Sequence, residues 1–155
     1  MTTTATAYSR TILTTLHGRE IGLDVNRSLV VKGDPDGVTF SAASGAANIC
    51  NVTIQVVNND GTALAGTRNL DLWVSDAATG AGLAAHANTS ELTCSTGTLL
   101  QVYSAGKAWR IMTDATGKAV AVITDTAKTA YFIAALLNHQ PFTQISTQLA
   151  TGNFG

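Results

Sequence analysis

The chain of 155 residues carries nine Lys and Arg against ten Asp and Glu, a formal charge of −1, with 12% charged and 45% hydrophobic residues. That length and apolar share suit one domain with one core, and the singly scattered cations exclude the clustered positive charge that nucleic-acid binding requires. No apolar run approaches the length of a bilayer span, and two prolines exclude a Pro-rich linker.

Thr, Ala, Gly, Ser and Asn stand where charged residues usually would. β-Branched side chains suit a pleated surface and lose rotamer freedom in a helix, so the composition favours strands. The start, Met1 to Tyr8, has neither the basic opening nor the apolar stretch of a secretory signal, which predicts synthesis and retention in a cytoplasm.

Residues 1–37 read as an N-terminal arm. It holds Leu13, Leu16, Ile21, Leu23, Leu29 and Val31 interleaved with Arg10, Arg19 and Arg27. An extended segment cannot bury those apolar side chains alone, so it must dock on its own domain or on a partner. Ordering it costs about 1–2 kcal/mol per residue unless burial offsets that, and the arginines suit carboxylates on a partner surface. Gly33-Asp-Pro-Asp-Gly37 predicts a turn, because Pro35 fixes φ and Gly37 tolerates positive φ. The boundary between arm and body, 38–155, is placed there.

Period-2 alternation then recurs, the mark of half-buried strands. Val52, Ile54 and Val56 form one such face, and Asn58-Asn-Asp-Gly61 follows as a hairpin-type turn. Leu70, Leu72 and Val74 form the next, with Asp71, Trp73 and Ser75 opposite. Residues 76–97 carry no clear period and predict a long loop or short edge strands. Leu99 to Tyr103 and Lys107 to Thr113 make a pair. After the turn Asp114-Ala-Thr-Gly117 come Ala119, Ala121 and Ile123 on one face, then Tyr131, Ile133, Ala135 and Leu137. Phe142 to Leu149 alternates once more. About seven strands without helical period or βαβ rhythm predict an all-β fold, a sandwich behind an extended arm.

Two resemblances sharpen this reading. The run Val52-Thr-Ile-Gln-Val-Val-Asn-Asn-Asp-Gly-Thr-Ala-Leu-Ala-Gly66, with Thr113-Asp-Ala-Thr-Gly-Lys118 and Tyr131-Phe132, resembles bacterial immunoglobulin-like domains of the invasin and intimin kind. It covers about 90 residues and implies an immunoglobulin-like β-sandwich; such domains serve as spacers, adhesin stalks and phage surface modules alike. The 76–97 stretch and the cysteine pair depart from that pattern. The leading segment His17-Gly-Arg-Glu-Ile-Gly-Leu-Asp24 with Leu29-Val-Val31, and Leu70-Asp-Leu-Trp-Val-Ser-Asp76 with Thr98-Leu-Leu100, look like parts of tailed-phage virion proteins. That resemblance implies a capsid decoration or cement protein at the phage head surface, made in the host cytoplasm. The major capsid protein is then the partner, and self-association is allowed. The rivals are a tail- or fibre-associated adaptor and a bacterial adhesion or glycan-binding module.

No catalytic constellation stands out, and the expectation is a non-enzyme without cofactor or metal. His17, His86 and His139 lack ligand spacing. No Gly-x-Ser-x-Gly elbow or complete phosphate loop occurs, although a triad assembled in space remains open. Asp34, Asp36, Asn58, Asn59, Asp60, Asp76, Asp114 and Asp125 fall at strand ends, where calcium competes with ordinary turn chemistry. Cys50 and Cys94 read as reduced thiols, with a disulfide between the sheets as the sharper alternative. Trp109 is expected in the core, whereas Trp73 admits a core and an interface reading. The docking candidates are therefore Leu13, Leu16, Arg19, Ile21, Leu23, Arg27, Leu29, Val31 and Trp73.

Overall fold

A computed structural model describes residues 15–16, 19–23, 29–31, 35–58, 60–137 and 143–155, with side chains from Pro35 onward, Asp36 excepted. Three short strands lead: β1 (Thr15–Leu16), β2 (Arg19–Leu23) and β3 (Leu29–Val31). They pair antiparallel in a sheet of their own. The predicted arm thus contains a small sheet, where a plain extended segment was expected.

The body is an all-β sandwich. One sheet has four strands in the order β4 (Pro35–Ser44), β5 (Ile49–Asn58), β10 (Lys118–Thr124), β7 (Thr93–Thr96). The other has five, β12 (Thr143–Ile145), β11 (Phe132–Leu137), β6 (Asn69–Ser75), β9 (Ala108–Met112), β8 (Thr98–Ser104). Every pairing is antiparallel. Six of these strands follow the immunoglobulin order: β4, β5 and β10 run as A, B and E, with β12, β11 and β6 as G, F and C. The hairpin β8–β9 extends the second sheet, so the sandwich has nine strands where about seven were expected.

The core lies between the sheets where alternation placed it. Val52, Ile54 and Val56 of β5 and Ala119, Ala121 and Ile123 of β10 face Leu70, Leu72 and Val74 of β6, with Trp109, Ile111, Tyr131, Ile133, Ala135 and Leu137. Phe154 closes one end, its ring edge-on to Tyr131 at 6.3 Å.

Two expectations need correction. Pro35 and Gly37 do not turn the chain but open β4, with a register shift between them. Proline is tolerated at the start of an edge strand because no ladder partner needs its missing N–H. Among the described residues of the run 142–149, a strand forms only over Thr143–Ile145, because the Ser146 hydroxyl accepts the Ile133 N–H at 2.9 Å and breaks the ladder; Phe142 lies outside the described residues. Of the two readings of the cysteines the reduced one holds: Cys50 and Cys94 are free and lie in the same sheet, opposite Ile123 and Ala121 of the intervening β10. Two strand spacings set them at least about 10 Å apart, beyond the reach of a disulfide at ~7 Å. Burial pushes the Cys50 thiol up to about 11 and raises that of Cys94.

One strand path serves both sheets. β7 and β8 are separated only by Gly97, where the chain leaves one sheet for the other. Gly97 has φ +79°, and a Cβ there would come within 2.4 Å of the Met112 carbonyl oxygen. Bends of this kind make the corners of sandwiches.

Candidate interaction surface

The outer face of the five-stranded sheet carries the most distinctive chemistry. Alternation along β6 turns Asp71 and Trp73 outward, and the register sets Arg110 and Ala108 of β9 opposite them. Arg110 holds the Asp71 carboxylate with both arms of its fork, Nε to Oδ1 at 2.7 Å and Nη2 to Oδ2 at 2.9 Å. The Tyr103 hydroxyl donates to Asp71 Oδ1 at 3.0 Å. The Tyr103 ring lies 5.5 Å from the Arg110 guanidinium, within cation–π range. The hydrogen bond from Arg110 is the main reason the Asp71 carboxyl sits below the usual carboxylate range.

A loop folds over the neighbouring part of this face. The Trp73 indole donates to the Gly80 carbonyl at 2.8 Å, and Gly80 lies so close to Ile145 and Ala134 that a Cβ would reach Ile145 Cδ1 at 2.4 Å. Trp73 is therefore half-buried under its own chain, neither a core residue nor a free anchor. Between the loop and β8 opens a pocket of about 330 Å³ with almost wholly apolar walls, Trp73, Ala108, Leu83 and Tyr103 among them. Four large apolar side chains stand exposed among the described residues: Leu83 at 51%, Leu100 at 46%, Val102 at 42% and Tyr103 at 47%. Three of them belong to β8.

Of the docking candidates read from sequence, Leu13 and Arg27 lie outside the described residues. Leu16, Arg19, Ile21, Leu23, Leu29 and Val31 fall in the small sheet, where the register pairs Leu16 with Arg19, Ile21 with Val31 and Leu23 with Leu29. Among the described residues this sheet forms no ladder with the sandwich. Sequence reasoning missed Tyr103, Leu100 and Leu83. A signal was present: the adjacent apolar pairs Leu99-Leu100 and Val102-Tyr103 break period 2.

A second cluster pins the 76–92 loop. Asp125 is fully buried and receives the His86 Nε2–H at 2.9 Å and the backbone N–H groups of Ala127 and Thr129. The Thr89 hydroxyl reaches the same carboxylate, at 3.5 Å, and also contacts Thr126. This hydroxyl is on the aspartate and not on the imidazole, so the His–Asp pair works as a strut between loop and sandwich. Glu91 does similar work, accepting from the Trp109 indole at 3.1 Å and the Gly106 N–H.

The acidic strand ends do turn chemistry. The Asp114 carboxylate accepts from the Thr116 hydroxyl, the Thr116 N–H and the Lys118 N–H, which draws its pKa down. Asn58 Oδ1 accepts from the N–H groups of Asp60 and Thr62, and Asp76 from that of Ala85. Among the described residues no group of three His, Cys, Asp or Glu converges on a point that would hold a metal ion. His17, Asp34, Asn59 and His139 lie outside the described residues, as does the Asp36 side chain.

No protein-family model matches this chain. The search of curated proteins finds no relative either.

Proposed function

We propose that this chain is a phage virion structural protein of the capsid decoration or cement kind, binding the outer surface of the major capsid shell and stabilising it without turnover. The observation that carries a docking role is the set of exposed large apolar side chains on the edge strand β8, Leu100, Val102 and Tyr103, with Leu83 in one pocket with Tyr103. Soluble monomers rarely leave such side chains grouped, and grouped ones mark contact surfaces. The capsid as partner rests on the resemblance of the leading segment and of the β6 and β8 runs to tailed-phage virion proteins. The apolar residues from Leu13 to Val31 supply the grip, and burial at seams between subunits is the source of the stabilisation. Many copies on a repeating lattice multiply a modest individual affinity.

Co-sedimentation of the full chain with capsid shells stripped of accessory proteins tests the reading. Saturation at hundreds of copies per shell, with a raised melting temperature of the shell, is the expected result. A chain lacking residues 1–34 should fold and fail to bind. Leu23→Asp should weaken attachment more than Arg19→Ala, because an exposed ion pair contributes only about 0–1 kcal/mol. Absence of binding to shells, or saturation at a handful of copies, overturns the decoration role.

A further inference from the structure

The segment between β6 and β7 is fastened to the sandwich unevenly. Ala84 and Leu92 are both buried, at 1% exposure each, and fix two points along it. Between them, over residues 85–91, Asn88 alone is buried, at 7%. It is the wrong chemistry for the place. Its Nδ2 and Oδ1 are both shut off from solvent, and neither has a hydrogen-bond partner. A side-chain amide can donate two bonds and accept two, and leaving them unmade in a dry interior opposes burial. The backbone around it is packed closely. Gly106 lies so near that a Cβ there would stand 2.9 Å from the Asn88 carbonyl oxygen.

The sequence of residues 85–91, Ala-His-Ala-Asn-Thr-Ser-Glu, brings no large apolar side chain to the body, so hydrogen bonds hold the segment down. His86 bonds Asp125 at 2.9 Å, the Asn88 N–H donates to the Gly106 carbonyl at 3.0 Å, and the Thr126 N–H donates to the Thr89 hydroxyl at 2.8 Å. Each of these can be exchanged for a bond to water, at little net cost. We infer that residues 85–91 form a strap that opens as one unit, hinged at Ala84 and Leu92, while the sandwich stays folded. Segments with little apolar burial are the ones that open below the threshold of global unfolding. Here the orphaned amide lowers that threshold further, because opening hydrates Asn88. Opening also uncovers Asp125, which the closed strap keeps fully buried. It admits water towards the Tyr131 hydroxyl, a second fully buried group without a partner, whose pKa is raised by burial and then by the Asp125 charge. The strap is thus a gate over the polar end of the core. The inference stands apart from the capsid reading and is tested without capsids.

Native-state hydrogen exchange of the full chain reads such openings residue by residue. The backbone amides of Asn88 and Thr126 should exchange at least about tenfold faster than that of Ile54 in the core, through an opening that low urea hardly affects. Asn88→Leu replaces the orphaned amide by an apolar group of similar shape, and should slow both amides at least about tenfold. The Asp114 amide, bonded to the Lys118 carbonyl in the β9–β10 turn, should keep its rate. Should Asn88→Leu not fold, His86→Ala removes one latch and should speed the Asn88 and Thr126 amides at least about tenfold, again with Asp114 unchanged. Exchange of Asn88 and Thr126 in step with Ile54 overturns the inference. So does a folded Asn88→Leu variant in which the two amides exchange as before or faster, or a His86→Ala variant that leaves them unchanged.

Discussion

Asp125 shows how much a single residue can carry in a sandwich with a long loop. Its carboxylate is fully buried and serves His86, Ala127 and Thr129 at once. Asp125→Ala would strand those donors, and each unsatisfied buried group costs about 1–3 kcal/mol, so a loss of roughly 3 kcal/mol or more in urea unfolding is expected. His86→Ala should cost less, because its imidazole is partly exposed. The double variant should fall short of the sum, as residues sharing one bond do. From sequence Asp125 was only a turn residue or a calcium ligand, because its partners come from a loop 36 to 39 positions away. Asp71 and Asp114 carry the acid dependence. Both are depressed in the fold, Asp71 chiefly by Arg110 and Asp114 chiefly by Thr116. A depressed carboxyl adds stability above its unfolded value, about 3.9 for Asp, and loses it as pH falls through the lower folded value. Thermal melting should therefore be insensitive to these groups near neutrality and decline below about pH 4. Asp71→Asn should make that decline shallower.

At the scale of elements, turns and corners rely on backbone that only glycine tolerates well. Gly117 ends the Asp114 turn with φ +77°, and a Cβ there would stand 1.9 Å from the Leu64 carbonyl oxygen. Gly117→Ala and Gly97→Ala combine left-handed strain with a backbone clash and should each destabilise by about 2–4 kcal/mol. Gly61→Ala is the control: φ is +81° but nothing lies within 4 Å, so about 1 kcal/mol is expected. Guanidinium unfolding of the three variants distinguishes the cases. The strands that were legible in sequence, β5, β6, β10 and β11, bury one face against the opposite sheet, and that is what alternation records. β8 was legible as a strand but not as a surface, because its bulges shift which residues face out. The 76–92 segment was legible as a loop, but its path was not. Its path is set by distant partners, Val74 for Ala84, Gly106 for Asn88 and Trp109 for Glu91, none of which leaves a local period.

Taken as one body, the sandwich depends on a core with little tolerance for charge. Ile133 is 1% exposed between the sheets. Ile133→Asp should prevent folding, because an unpaired buried charge is severely unfavourable; soluble protein with unchanged melting would mean that the register of β11 is one residue out. The all-β architecture and its two-sheet core were readable from the chain, since they rest on a repeated local pattern. The surfaces were not, since exposure follows from which strand ends up at an edge. The corner at Gly97 has one more consequence. Sandwiches can loosen by shedding an edge strand from one sheet while the other stays closed, yet here an edge of each sheet is the same run of chain. Peeling β8 from β9 drags on β7, and β7 cannot leave β10 without pulling β8. The two sheets are thus tied at that margin, and the amides of β7 and β8 should exchange with solvent through one shared opening and not two.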